Sequence, residues 1–144
     1  MEGTQKYYDR IQTGLQATIQ KIQPEMLEAL NNQGVTPTQW FVLFFIKNNG
    51  LCRISQLVDL MEVKPSAATF MIDRLEQGGF VFREHDTKDR RVVNIGLTEK
   101  GREKFEIILS ERRAIVERWL SILSKQELSM MADIMEKLAG STEI

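Results

Sequence analysis

The feature that most narrows the possible folds is a helix-length segment running straight into two short strands. Pro65 suits the first helical position, where its missing N–H is no loss. Ala68, Met71 or Ile72, and Leu75 recur at helical spacing and give an apolar stripe, and Gly78 with Gly79 predicts a left-handed cap. The opposite face carries Ser66, Ala67, Thr69, Phe70 and Arg74, small at its start and without an acid until Asp73. Such a face can approach a major groove closely enough to reach base edges. Phe80 to His85 and Val92 to Leu97 then have strand composition, joined by a polar turn holding Lys88, Arg90 and Arg91. A helix followed by a basic-tipped hairpin is the layout of a winged helix-turn-helix, with the tip cations serving phosphates or a narrow minor groove. Taken singly, each piece also has a plainer reading, as an amphipathic surface helix and a solvated hairpin.

Together the two segments carry a resemblance. Asp86-Thr87-Lys88-Asp89-Arg90-Arg91, a short strand, and Leu97-Thr98-Glu99-Lys100-Gly101 resemble the wing signature of the MarR family of bacterial regulators. Ser66 to Thr69, Ile72 to Glu76 and Gly79 are similar to that family's recognition helix. Motif and spacing agree from Val35 to Gly101, and the flanking helical segments fit as well. The resemblance implies a homodimeric transcription factor, usually a repressor on a pseudo-palindromic operator, released by a small molecule or by thiol oxidation. It implies base-edge contacts from Ser66, Ala67, Thr69 and Phe70, beside Pro65, and phosphate contacts from Lys64 and Arg74. Lys88, Arg90 and Arg91 would belong to the wing, with Asp89 orienting one of the arginines.

Two positions depart from the family's pattern. Lys64 stands where a capping serine is frequent; it cannot cap a helix but can reach a phosphate. Phe70 stands where an arginine is frequent, which removes a guanidinium that would read guanine. Phe70 is left with a thymine methyl, or with DNA shape, as its object.

The 144 residues suit one domain, and a net charge of −1 weighs against a protein that binds DNA by bulk charge. Even in the DNA-binding half, Arg53, Lys64, Arg74, Arg83, Lys88, Arg90 and Arg91 stand against Asp59, Glu62, Asp73, Glu76, Glu84, Asp86 and Asp89. Geometry must sort these charges. No basic-then-apolar leader is visible, and the longest apolar run, Trp40 to Ile46, is too short to span a bilayer. A single cysteine allows no internal disulfide. A cytoplasmic protein is expected.

In chain order, Gln5 to Asn32 predicts a long helix with Tyr8, Ile11, Leu15, Ile19, Ile22, Met26 and Leu30 in one stripe. Pro24 should kink or restart it. The stripe fits a dimerisation arm or an intramolecular core. Thr36, Pro37 and Gln39 predict a capped helix start, with Val35 and Trp40 at staple positions. The helix they open, through Ile46, is apolar nearly all round and should be buried. Leu51 to Ile54 is a short strand candidate, and Ser55 to Met61 a short helix turning inward on Leu57, Val58 and Met61. Thr98 should cap another long helix, and Ser124 with Glu127 the last one. The expected fold class is mainly α with a small β-hairpin wing. Residues 1–144 form a single domain, 35–101 its winged helix-turn-helix lobe, and 1–34 and 102–144 its dimerisation helices.

No phosphate loop, metalloprotease pair or zinc spacing is present, so no metal, cofactor or catalytic residue is expected and the protein should not be an enzyme. A Cys52–His85 nucleophilic pair is conceivable, although a lone cysteine beside a strand is more often a small buried hydrophobe. Family members that sense thiol oxidation usually carry the reactive cysteine in the first helix; here only Cys52 is available. Tyr7, Tyr8 and Arg10, with Trp40 and Phe41, are the candidate lining of a pocket for a small aromatic or amphipathic effector. From another functional class, a helical ligand- or protein-binding module that no longer engages DNA fits the mixed charge.

Overall fold

The computed structural model describes residues 2–141. Their elements are α1 (Glu2–Asn32), α2 (Pro37–Asn49), β1 (Cys52–Arg53), α3 (Ile54–Met61), α4 (Pro65–Gln77), β2 (Val81–His85), β3 (Val93–Leu97), α5 (Glu99–Leu120) and α6 (Lys125–Ser141). The three strands form one antiparallel sheet in the order β1-β3-β2. The hairpin register pairs Val81 with Leu97 and His85 with Val93, and β1 adds Cys52 opposite Ile95.

Local chemistry sets the helix ends. Thr36 accepts from the Gln39 amide while the Gln39 side chain accepts from the Thr36 amide, a closed capping box in front of Pro37. Ser124 and Glu127 repeat the arrangement before α6. At the end of α4, Phe80 N–H reaches the Leu75 carbonyl and Gly79 N–H the Glu76 carbonyl, which requires Gly79 to adopt φ 78°. Only glycine takes that left-handed geometry without strain, and it turns the chain straight from the helix into β2. The turn between α3 and α4 runs through Glu62, held left-handed at φ 53°.

The core joins the lobe to the arms. Val42, Leu43 and Ile46 of α2, Leu57 of α3, Ile72 and Leu75 of α4, and Val81, Ile95 and Leu97 of the sheet are buried with Leu30, Phe105 and Ile108. The last three come from α1 and α5, so the lobe's core continues beyond 35–101. Gly101 is pressed against β2's approach, where a Cβ would collide with the Phe80 carbonyl oxygen. Polar bridges fasten α1 along α5: Gln33 donates to Glu111 and accepts from Lys104, and Arg118 donates to Glu25.

Of the kink or restart expected at Pro24, the restart does not occur, since α1 passes through it as one continuous helix. One expectation changes. α2 is not buried all round: Phe41 and Phe44 are exposed, because the lobe and α5 cover only the Val42, Leu43 and Ile46 side. The terminal stripes also divide. Leu30 is buried, whereas Tyr8, Ile11, Leu15 and Ile19 on α1 and Leu128, Met135 and Leu138 on α6 are exposed in the single chain.

Candidate nucleic-acid interface

α4 has one buried and one open side. Ala68, Ile72 and Leu75 are buried, which leaves Lys64, Pro65, Ser66, Ala67, Thr69, Phe70 and Arg74 exposed, as the spacing predicts. Lys64 is the N-cap residue in extended conformation and makes no side-chain cap, so its ammonium points to other work. The guanidinium carbon of Arg74 lies 5.1 Å from the centre of the Phe70 ring. Arg74 also lines a groove of about 490 Å³ with Thr36, Thr38 and Gln39 of the α2 start.

The hairpin tip is built around a carboxylate. Asp86 accepts from the amides of Lys88 and Asp89 and from the Asn94 side chain. The Asn94 bond first, then the two amides, hold its carboxyl below the usual range. Asp89 accepts two guanidinium N–H bonds, at 3.1 and 3.2 Å, plus an amide bond from Arg91. The arginine that Asp89 orients is therefore Arg91, and this contact lowers the Asp89 pKa. Among the described residues, the side chains of Lys88 and Arg90 have no acidic partner.

Arg83 was legible only as one charge among many, yet it joins the two halves of the surface. From β2 it donates to Asp73 and to Glu76, both on α4. The two α4 acids nearest the open face are thus neutralised from behind, and helix and wing are tied together. The signal in the sequence was the three-residue spacing of Asp73 and Glu76, which places both on one helix flank. Thr98 completes the closure: its hydroxyl donates to the Gly79 carbonyl and accepts from the Gly101 amide.

The candidate effector residues fall into two groups. Trp40 stacks on Phe105 at 4.9 Å, with Arg112 lying 5.3 Å over the indole. Burial lowers the Arg112 pKa. Phe41 is exposed on the same helix. Tyr7 and Tyr8, with Arg10 over the Tyr7 ring, stand on the arm about 27 Å along α1 from Met26, at 1.5 Å per residue. One chain does not bring the two groups together. Two adjoining clefts that the sequence reading missed, of about 310 and 410 Å³, share Met26 and Arg112. Leu27, Leu30 and Pro37 line the first, Leu109 and Val116 the second.

Cys52 is buried and its thiol is pushed up to about 11 by desolvation, so it stays protonated at neutral pH and is a poor nucleophile. β3 runs between it and β2, which carries His85, and the His85 ring instead meets the Arg90 carbonyl oxygen at 2.9 Å. The nucleophilic pair is not formed, and a redox role through Cys52 has no exposed thiolate to support it. Among the described residues, no cluster of His, Cys, Asp or Glu could hold a metal ion, and no helix is long and apolar enough to cross a membrane.

A helix-turn-helix with an open second helix, beside a three-stranded sheet whose hairpin ends in cations, defines a winged helix-turn-helix protein. Comparison with known proteins agrees. The model of the MarR family matches residues 35–93. The HTH-type transcriptional repressor MdtR of Bacillus subtilis is 49% identical over 143 residues, spanning 99% of this chain and 92% of that protein. The crystal structure of YusO protein from Bacillus subtilis superposes with a TM-score of 0.81 at 49% identity, covering 96% of this chain and 98% of that one. A MepR-like protein complexed with pseudoligands shares 39% identity, with a TM-score of 0.58 over 90% of this chain and 92% of its own. The chain belongs to the MarR family of transcriptional regulators.

Proposed function

We propose that this protein is a cytoplasmic, homodimeric repressor that binds a pseudo-palindromic operator and leaves it when a small aromatic or amphipathic effector binds. The observation that carries the reading is the composite surface. α4 shows a face of small and apolar residues, the wing offers Lys88 and Arg90 with no acidic partner among the described residues, and Arg83 cancels the acids behind. A net charge of −1 therefore coexists with a locally attractive surface. The exposed stripes of α1 and α6 supply the dimer contact. A two-fold dimer then presents its recognition helices about 34 Å apart, one turn of DNA. The similarity to MdtR supports repression as the outcome.

The clefts around Met26 and Arg112 lie where the arms meet the lobe, and Arg112 reaches Trp40 from there. An effector seated at this junction, with Phe41 nearby and the partner's arm bringing residues equivalent to Tyr7, Tyr8 and Arg10, favours one spacing of the two lobes. It weakens DNA binding only by its differential affinity for the two arrangements. That a MepR-like relative has been crystallised with pseudoligands supports a ligand-binding role.

The test is a salt-dependent mobility shift on DNA upstream of the protein's own gene. Arg90→Ala should weaken operator and random DNA alike and reduce the log–log salt slope by about 0.9, the value of one phosphate contact. No shift of any DNA at low salt would leave the helical binding module as the correct class. Phenolic and lipophilic compounds should release the DNA and change tryptophan fluorescence together.

A further inference from the structure

We infer that Phe70 reads the 5-methyl group of a thymine in each operator half-site and that Arg74 holds the ring in place for this contact. The inference rests on the DNA-binding reading and adds its sequence preference. Ser66, Phe70 and Arg74 stand four residues apart and form one row on the open side of α4. Phe70 is 59% exposed in the middle of that row, an aromatic ring in water at the centre of the reading face. Ser66, Ala67 and Thr69 around it are small, so the helix can sink until the ring meets the base edges.

The chemistry of the ring then selects the base. Phenylalanine has no hydrogen-bonding group, so it gains nothing from the donor and acceptor edges of guanine, adenine or cytosine. Thymine alone presents a methyl group in the major groove. Contact withdraws both the ring and the methyl from water.

Arg74 supplies the order. Its guanidinium carbon sits 5.1 Å from the ring centre, within cation–π range. A ring already held in one rotamer loses less freedom on binding. The same contact keeps the guanidinium on the ring and beside the Thr36–Gln39 groove, so it approaches the phosphate backbone rather than a guanine edge. Arg74 is thus a positioning residue, and Phe70 the one that discriminates.

The test starts from sites selected out of randomised DNA by the full-length protein. Each thymine of the selected site is then replaced by deoxyuridine, which removes only the methyl. One symmetric pair of thymines should stand out, with affinity falling about fourfold for each methyl lost, the equivalent of one methyl-sized group withdrawn from water. Phe70→Ala, whose exposed position leaves folding unaffected, should bind the thymine and deoxyuridine sites equally. Arg74→Ala should reduce the thymine-to-deoxyuridine ratio in addition to lowering the salt slope, a result that a phosphate contact alone does not give. An unchanged ratio would remove Arg74 from the assignment. If sites are enriched but no methyl matters, or if the same methyl matters equally in Phe70→Ala, the Phe70 inference is overturned while DNA binding stands. If no sequence is enriched and no DNA is bound, the DNA-binding reading itself fails and takes this one with it.

Discussion

The lobe and the arms both carry apolar side chains at regular spacing, and they end in opposite states. In the lobe, Leu43, Ile72 and Ile95 are fully buried, covered by elements of the same chain. On the arms, Ile11 and Leu15 remain 64% and 58% exposed, and Ile134 and Leu138 on α6 are similarly open. The difference lies in connectivity. Between Val35 and Gly101 short turns fold consecutive elements over one another, and with α1 and α5 closing the core the inner stripe of each helix finds a neighbour, although Phe41 and Phe44 stay open. The start of α1 and much of α6 keep their apolar side chains exposed in the single chain. Periodicity therefore shows that a face wants covering, but not by what.

That contrast can be broken most severely in the core. Leu43→Ala should destabilise the protein by about 2–5 kcal/mol, since it removes buried methyls and leaves a cavity. Chemical denaturation should give the same loss at every protein concentration. A loss that grows on dilution would mean the lobe is not self-contained.

Next comes the arm. Leu15→Asp should leave the concentration-independent stability of the lobe alone but turn the dimer into a monomer in sedimentation at micromolar concentration. Operator affinity should drop about a hundredfold or more, because two linked half-site contacts become one. A stable dimer with this substitution would show that the α1 stripe is not the contact.

A smaller effect is expected where lobe and surface chemistry meet. Arg83→Met should cost about 1 kcal/mol or less in stability, because Asp73 and Glu76 are 48% and 43% exposed and water screens the pair. Its effect on operator binding should be larger than its effect on folding, since two uncompensated carboxylates then flank the reading face. Equal losses in the two assays would reduce Arg83 to an ordinary structural link.

The smallest effect is the response of the wing to acid. Asp86 has a folded pKa below its unfolded one, so its contribution is fully present above the ordinary carboxylate value of about 4. It is lost only as pH falls through the depressed folded value. The amide signals of Lys88 and Asp89 should therefore hold steady from pH 8 down to about 4 and move below it. Movement well above pH 4 would mean that the Asp86 carboxylate is not what holds the turn.

What could be read before folding was whatever depends on near neighbours. The caps at Thr36, Thr98 and Ser124, the glycine stop after Gln77 and the cationic turn are all settled within about four residues, the reach of a helical turn. The open face of α4 followed from its period alone. Arg83 escaped because its partners lie seven and ten residues back across a helix end. The Met26–Arg112 clefts escaped for the same reason, since they are formed by three helices distant in sequence. The exposure of Phe41 and Phe44 was missed because a nearly all-apolar helix has no polar side from which to tell which face lacks cover.

Pro24 gives the arm a mechanical property. Proline has no amide hydrogen to offer the Gln20 carbonyl, so one rung of the α1 ladder is missing while the helix continues. The rung falls close to where α1 passes from open solvent to its packed end at Ala29 and Leu30. A helix bends most easily where a rung is missing, so α1 is weakest at this turn. It resembles a rod notched at one point, which gives there first while the stretches on either side keep their shape.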